Sequence, residues 1–370
     1  METLISQVNA PTAVSAIEVC IAAQRSTFLW GSPGIGKSDL QRSVAAHLGG
    51  VKPSEGKSLG RSRWEFGKCL LIDVRASQWD AVDTRGIPYL DENKLTAWGV
   101  PAVFPTEAEA AQYDVVIIFL DELNTAAPSV QAALYQLILD RSLGDYVLPA
   151  NVVVNAAGNK ETDRAVAHRM SSALADRFFH FELTVDNEAW EQWALSADLA
   201  IECIAYNRWR PGHLHAWDPK SPSKSQATPR GWEFVSDILK VTREQGTPAL
   251  VENALICAKL GETVGAEFVG FLRIFRNLPD PAAVIMAPDT AEVSDDPSVN
   301  AALCGALSER VSEDNIGNIL IYAERLSASR DAGPEFMTLL VRSCAVKGGT
   351  KVQQTRAFIE WASNNPDVYI

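Results

Sequence analysis

Eight consecutive residues near the start of the chain have the types and spacing needed to bind a phosphate group. They fit the pattern G-x-x-x-x-G-K-[ST], in which glycines let successive backbone N–H groups point into one concavity. We expect Lys37 to contact the β- and γ-phosphates of a nucleotide and the Ser38 hydroxyl to enter the coordination shell of Mg²⁺. The predicted nucleotide-binding set is Gly31, Ser32, Pro33, Gly34, Ile35, Gly36, Lys37, Ser38 and Asp39.

The residues on either side of this loop predict a strand before it and a helix after it. Residues 27–30 form a short apolar run with β propensity, and residues 39–48 carry Leu40, Val44 and Leu48 on one helical face. The positive end of such a helix attracts phosphate. A chance Gly/Pro turn is disfavoured because the loop and both flanks agree.

Two carboxylates follow a continuously apolar run, residues 115–120, which is typical of a central strand in a parallel sheet. Such a strand directs side chains at its carboxyl end into the crevice where ligands bind. We expect Asp121 to hold Mg²⁺ through water. We expect Glu122 to take a proton from a water molecule that attacks the phosphate of the bound nucleotide. The alternative is an ordinary strand end that carries acidic residues. The phosphate-binding loop earlier in the chain favours the catalytic interpretation over this alternative.

Further strands are predicted at residues 69–74 and 152–157, and the second of these ends at Gly158 and Asn159. An amide at that position can orient the attacking water or contact the γ-phosphate. Hairpins are predicted at residues 86–98 and 143–149, because strand-like runs there flank turn residues. Residues 49–67, rich in Gly, Ser, Lys and Arg, predict a solvated loop.

Composition limits the classes of function. The 370 residues include 33 basic and 46 acidic ones, giving a net charge of −13, which disfavours general nucleic-acid binding. No apolar run reaches the roughly 18 residues that span a bilayer. The N-terminal residues lack the features of a signal peptide, and the six scattered cysteines do not suggest a disulfide framework. We therefore expect a cytoplasmic protein.

Beyond residue 186 only helices are predicted, so the sequence suggests an α/β core at 1–185, a helical lid at 186–275 and a helical extension at 276–370. Thr228 and Pro229 are a favourable N-cap and first residue for one of the lid helices. Helical patterns lie at 188–205, 228–240, 249–262, 264–276, 299–311, 314–327, 334–346 and 351–363.

Six short motifs occur in the order seen in one family. They are G-S-P-G-I-G-K-S, F-L-D-E-L-N-T-A-A-P, L-G-D-Y-V-L-P, A-A-G-N, A-L-A-D-R-F and A-T-P-R. Over residues 10–275 the chain resembles the AAA+ ATPases, and more narrowly the MoxR-like group. The resemblance implies a P-loop core with a parallel sheet between helices, an all-α lid, and ATP bound between subunits of a ring, expected to be a homohexamer. The hairpin at 86–98 matches that group's insert within the second helix.

The resemblance also implies roles for three further residues. Asn159 takes the position of sensor 1, Arg230 that of sensor 2 in the same subunit, and Arg177 that of the arginine finger reaching a neighbour's nucleotide. The alternatives are that Arg177 forms a structural ion pair and that Arg230 is a solvated residue of a first helical turn. Arg164 and Arg169 lie close by in sequence and could carry or share the finger role.

Two classes of function remain open. The first is a ring ATPase that remodels or activates a partner protein, typically one with a von Willebrand A domain, with the hairpin at 86–98 as its working surface. The second is a McrB-like nucleic-acid motor, suggested by the stretch from Asn159 to Arg164. The acidic charge favours the first. A P-loop kinase or switch GTPase does not explain Asp121, Glu122, Asn159 and Arg230 together.

Overall fold

A computed structural model of the chain describes residues 5–143, 146–160, 170, 172–276, 278–328 and 333–366. The chain forms two compact units, Met1–Asp186 and Asn187–Ile370. The first is built on a mostly parallel sheet flanked by helices, and the regular elements described in the second are helical. The predicted fold class, an α/β core followed by an all-α region, is confirmed.

The strands of the first unit form one large sheet and two hairpins. They are β1 (Ser6–Val8), β2 (Ser26–Trp30), β3 (Lys57–Gly60), β4 (Arg63–Phe66), β5 (Cys69–Arg75), β6 (Pro88–Leu90), β7 (Thr96–Trp98), β8 (Val115–Asp121), β9 (Ser142–Leu143), β10 (Tyr146–Val147), β11 (Val152–Gly158) and β12 (Phe178–Leu183). The large sheet has the order β1-β12-β2-β11-β8-β5-β4-β3. The first six strands in this spatial order, from β1 at one edge to β5, are parallel. The last two, β4 and β3, extend the sheet with antiparallel pairing.

Helices cover both faces of this sheet. They are α1 (Ala10–Ala22), α2 (Lys37–Gly49), α3 (Ala81–Arg85), α4 (Glu107–Ala110), α5 (Pro128–Leu139) and α6 (Ser172–Ala175). Successive side chains of a strand point to opposite faces, so Ile117 of β8 packs with Val44 of α2, whereas Ile118 packs in the cluster that contains Leu134 of α5. Because both faces are covered, β8 is apolar along almost its whole length.

The expectation of a solvated loop at residues 49–67 is wrong, because β3 and β4 form there and extend the sheet. Every residue of β3 is exposed, so this edge strand has the composition of a loop. Its neighbour β4 is anchored by the buried ring of Phe66 and by Arg63, which pairs with Glu109 and donates to the Val103 carbonyl at 3.0 Å. Distant contacts therefore stabilise strands that local composition does not indicate.

Both predicted hairpins are confirmed. In the first, β6 pairs antiparallel with β7, and Asp91 closes the turn by accepting hydrogen bonds from the N–H groups of Asn93 and Leu95, at 2.9 and 2.8 Å. The Asx-type turn at Asp91 explains why the polar segment between β6 and β7 folds back on itself. In the second hairpin, β9 pairs antiparallel with β10.

The second unit contains ten described helices. They are α7 (Asn187–Ser196), α8 (Ile201–Trp209), α9 (Pro229–Gln245), α10 (Ala249–Leu260), α11 (Glu262–Arg276), α12 (Pro281–Met286), α13 (Pro297–Ser308), α14 (Ile316–Ala328), α15 (Gly333–Gln353, with a break at Gly349) and α16 (Arg356–Asn364). The single helix expected at 188–205 is two helices, and the Ser236 hydroxyl accepts from the Ala200 N–H between them at 2.7 Å. Within the described residues, no helix has the length and apolar character needed to cross a membrane.

Aromatic rings form the centre of this unit, where Tyr206, Trp232 and Phe268 are fully buried and in mutual contact. Helix α13 packs closely on α8, since a Cβ at Gly305 would stand 3.1 Å from the side chain of Ile201. The helices on either side of residue 275 thus share one compact unit, and the boundary expected there lies inside it.

Candidate nucleotide-binding site

The phosphate-binding loop lies between the end of β2 and the start of α2, as the sequence predicts. Gly36 is the N-cap of α2 and has a φ of +92°, a backbone conformation that residues with a Cβ rarely adopt. Asp39 lies in the first turn of the helix. The loop residues Gly31 to Gly36 therefore lead directly into the N-terminus of a helix whose dipole attracts anions.

Lys37 joins this loop to a second strand end. Its buried Nζ donates to the carbonyl oxygens of Gly31 and Ser32, at 2.7 and 3.1 Å, and to Asn159 Oδ1 at 3.0 Å. Asn159 follows directly after β11, the strand next to β2 in the sheet. The structure therefore brings together two residues that lie 122 positions apart and that the sequence assigned to one site.

Ser38 and Asp121 also meet. The Ser38 hydroxyl donates to Asp121 Oδ2 at 2.8 Å, and Asp121 is the last residue of β8. A hydroxyl and a carboxylate oxygen this close form the start of the oxygen-rich ligand set that Mg²⁺ prefers. The residues present therefore fit the predicted metal.

Glu122 has an unusual backbone conformation, with φ +57° and ψ 32°, immediately after β8. Such a conformation is uncommon for a residue with a Cβ and is often found at functional sites. Its carboxylate accepts a hydrogen bond from the hydroxyl of Ser77, which lies just beyond β5. Sequence reasoning missed Ser77, since a lone serine after a strand carries no signal of its own.

Arg177 lies in the turn between α6 and β12, and it is exposed. No ion pair to Arg177 is found among the described residues, which leaves the predicted role in a neighbouring subunit as a hypothesis and gives no support to the structural ion pair. Arg164 and Arg169, the other finger candidates, lie outside the described residues.

Arg230 belongs to the second unit. It is exposed in the first turn of α9, where the Thr228 side chain accepts from the Gly231 N–H at 3.1 Å. The predicted cap and helix start are confirmed. The role of Arg230 at a nucleotide stays a prediction.

Asp73, in the middle of β5, is a further carboxylate near the site that sequence reasoning did not select. Burial raises its pKa to about 6, and the Asp121 carboxylate also raises it, whereas Arg42 and Arg75 lower it. Arg42 lies 3.8 Å from Asp73 and 3.3 Å from Asp39, and its guanidinium rests over the ring of Trp64. The sequence signal that could have identified Asp73 is its position as an aspartate within a mostly apolar strand.

We expect Asp73→Asn to stabilise the protein at pH 8 and to stabilise it clearly less at pH 5, which lies inside the window in which Asp73 titrates. Because the folded pKa lies above the ordinary value, the native state holds a proton between about pH 4 and 6 that the unfolded chain has lost, and the free energy of unfolding falls as pH rises through this window. The gain at pH 8 should be on the order of 1–3 kcal/mol. Thermal melts at both pH values measure it, with the exposed Asp114→Asn as control. Equal gains at pH 5 and 8 would contradict the assignment.

Comparison with known proteins includes a match in sequence to a curated relative. No family profile matches the chain. The chain is 28% identical over 171 residues to protein MoxR of Methylorubrum extorquens, which is 45% of this chain and 42% of MoxR. The predicted resemblance to MoxR-like AAA+ ATPases is confirmed by this match, which spans less than half of the relative.

Solved structures with a similar arrangement include a RuvB variant of Thermotoga maritima, with a TM-score of 0.37, 14% identity and 80% of each chain covered. Another is NtrX of Brucella abortus in complex with ATP, with a TM-score of 0.33, 12% identity, and 83% of this chain and 65% of NtrX covered. The α/β fold of the first unit is defined by the strand order of its sheet and by the phosphate-binding loop between β2 and α2.

Proposed function

We propose that this chain, which is similar to MoxR-like AAA+ ATPases, hydrolyses ATP in a ring of identical subunits to remodel a partner protein. One observation carries the proposal. The carboxyl ends of β2, β11 and β8, which are adjacent in the sheet, bring Lys37 within 3.0 Å of Asn159 and Ser38 within 2.8 Å of Asp121. Ligands of open α/β sheets bind at this edge.

Each residue then has a distinct task in hydrolysis. Lys37 exchanges its carbonyl and amide partners for phosphate oxygens, and backbone N–H groups of the loop cradle the phosphates. Glu122 accepts the proton of the water that attacks the γ-phosphorus, and Asn159 orients that water or the γ-phosphate. Ser77 holds the Glu122 carboxylate in place through its hydroxyl.

Ser38 and Asp121 would hold Mg²⁺ directly or through water. When bound, the ion supplies positive charge at the β- and γ-phosphate oxygens as the phosphoryl group is transferred. In the lid, Arg230 is assigned to the γ-phosphate of the same subunit, by the resemblance.

We assign contact with the client protein, a von Willebrand A domain protein, to the hairpin formed by β6 and β7. Ile87, Leu90 and Leu95 are 68, 69 and 65% exposed. Leu90 is the last residue of β6, and Ile87 and Leu95 directly precede β6 and β7. Exposed apolar side chains concentrated in one place are typical of protein-binding surfaces. The net charge of −13 favours a protein client over a nucleic acid.

Replacing Ile87, Leu90 and Leu95 with serine should abolish client activation and leave ATP hydrolysis close to wild type. Each apolar side chain buried against a client contributes about 1.5–3 kcal/mol, and none of the three contributes much to the fold, because all are exposed. Asp91 is left unchanged because it closes the turn. The measurement compares the variant with the wild type in two quantities, the rate of ATP hydrolysis and the activation of a von Willebrand A domain protein encoded next to the gene for this chain.

The matched control is Val147→Ser, which makes the same change at a side chain 69% exposed on the other hairpin. Client activation at the wild-type level, with assembly intact, would show that the β6–β7 hairpin is only a scaffold. If the wild-type chain hydrolyses no ATP, the proposed activity itself is wrong.

A further inference from the structure

A series of buried amide contacts links helix α5 to the loop after β11. The Tyr135 hydroxyl donates to Gln131 Oε1, and Gln131 Nε2 donates to the carbonyl oxygen of Ala126 at 2.9 Å. Asn124, in the turn after β8, donates from Nδ2 to the carbonyl oxygen of Asn159 at 2.7 Å. Gln131 and Asn124 are 4 and 2% exposed. These contacts hold the turn after β8 and the loop after β11 against each other.

Asn124 fits closely against the backbone of β11. A Cβ added to Gly158 would stand 2.2 Å from Asn124 Oδ1 and 3.0 Å from Phe28 Cζ, so residue 158 must be glycine for reasons of space. The orientation of the Asn124 amide is set by its bond, because only the NH₂ group can donate to the Asn159 carbonyl.

The Asn124 side chain is retained at a cost. Its Oδ1 is buried with no hydrogen-bond partner in the described part of the chain, and an unpaired buried amide oxygen is unfavourable. A leucine of similar size would avoid that cost but could not donate to the Asn159 carbonyl. The hydrogen bond to the Asn159 carbonyl is therefore what asparagine provides at this position and leucine cannot.

We propose that Asn124 is a positioning residue for Asn159. By fixing the backbone of the loop after β11, it keeps Asn159 Oδ1 at Lys37 Nζ, where the amide can meet the γ-phosphate. Asn124 lies two residues after Glu122, so the same turn carries the proposed general base and the support for Asn159. The inference rests on the proposed ATPase function.

The test measures ATP hydrolysis and nucleotide binding by the full chain carrying Asn124→Ala. We expect kcat to fall about 10- to 100-fold, the size of effect that a small misplacement of a catalytic group produces, while KM changes little. In a Glu122→Gln background, the preference for a fluorescent ATP over fluorescent ADP should fall several-fold, because only ATP carries the γ-phosphate. This second measurement does not depend on hydrolysis.

Asn151→Ala is the matched control. Asn151 lies at the other end of β11 and likewise donates to backbone carbonyls, those of Ala110 and Tyr113, at 2.8 and 2.9 Å. Its loss should lower the melting temperature without changing kcat or the ATP preference. The same changes in Asn151→Ala and Asn124→Ala would show that Asn124 acts only on stability.

A double-mutant cycle separates positioning from an independent effect. In an Asn159→Ala background, Asn124→Ala should reduce kcat by no more than about 3-fold, because the side chain that it positions is absent. Fully multiplicative effects would overturn the proposal. If Asn124→Ala does not fold, Asn124→Leu, which keeps a side chain of similar size but cannot donate to the Asn159 carbonyl, is tested instead. A wild-type chain that binds ATP without hydrolysing it contradicts the proposed function. In that case, the effect of Asn124→Ala on the preference for fluorescent ATP over fluorescent ADP still tests whether Asn124 positions Asn159.

Discussion

Glu122→Gln is expected to lower the rate of ATP hydrolysis by about 10²–10⁴-fold, the usual contribution of a general base, while ATP binding is kept. Glutamine has the shape of glutamate and can still accept the hydrogen bond from Ser77, but it cannot take a proton from water. Phosphate release and binding of fluorescent ATP measure the two quantities separately.

The contrast with Lys37→Ala makes this prediction specific. Removing Lys37 should abolish tight ATP binding, because the β- and γ-phosphate charges lose a buried counter-ion, whereas Glu122→Gln should not. The exposed Glu107→Gln controls for the loss of a carboxylate of the same unit. Equal hydrolysis by wild type and Glu122→Gln would remove Glu122 from the mechanism.

Arg177→Ala should lower hydrolysis by about 10³-fold or more, as loss of an arginine finger does in other phosphoryl-transfer enzymes. Arg177 is exposed and pairs with no acidic side chain among the residues described, so its removal should leave the fold intact. Since the guanidinium would act on a neighbour's nucleotide, wild-type specific activity should rise with protein concentration as the ring assembles.

Mixing Arg177→Ala with Glu122→Gln protein should restore part of the activity. At some mixed interfaces an intact Glu122 site meets an intact Arg177, whereas neither protein alone forms such an interface. Glu122→Gln mixed with Lys37→Ala, two lesions in the same subunit's site, is the control and should stay inactive. A monomer by light scattering with concentration-independent activity would contradict a role in trans, and loss of folding in Arg177→Ala would favour the structural ion pair.

The sequence by itself determined the elements that depend on neighbouring residues. The loop from Gly31 to Ser38, the strand ending in Asp121 and the cap at Thr228 are each encoded within about ten positions. Their glycines, apolar runs and capping side chains act on the local backbone, so pattern and spacing were enough to place them. Order along the chain also placed Asn159 at a strand end.

The tertiary structure decided which distant groups meet. The contacts between Ser77 and Glu122 and between Asn124 and Asn159 depend on strand order, as does the effect of the Asp121 carboxylate on the pKa of Asp73. Strand order places these segments, 35 or more residues apart in the chain, side by side. The polar edge strand β3 exists because β4 offers it a hydrogen-bonding partner. Local propensity carries no record of that partner, since backbone pairing and the pKa of a buried carboxylate both depend on what the fold brings alongside.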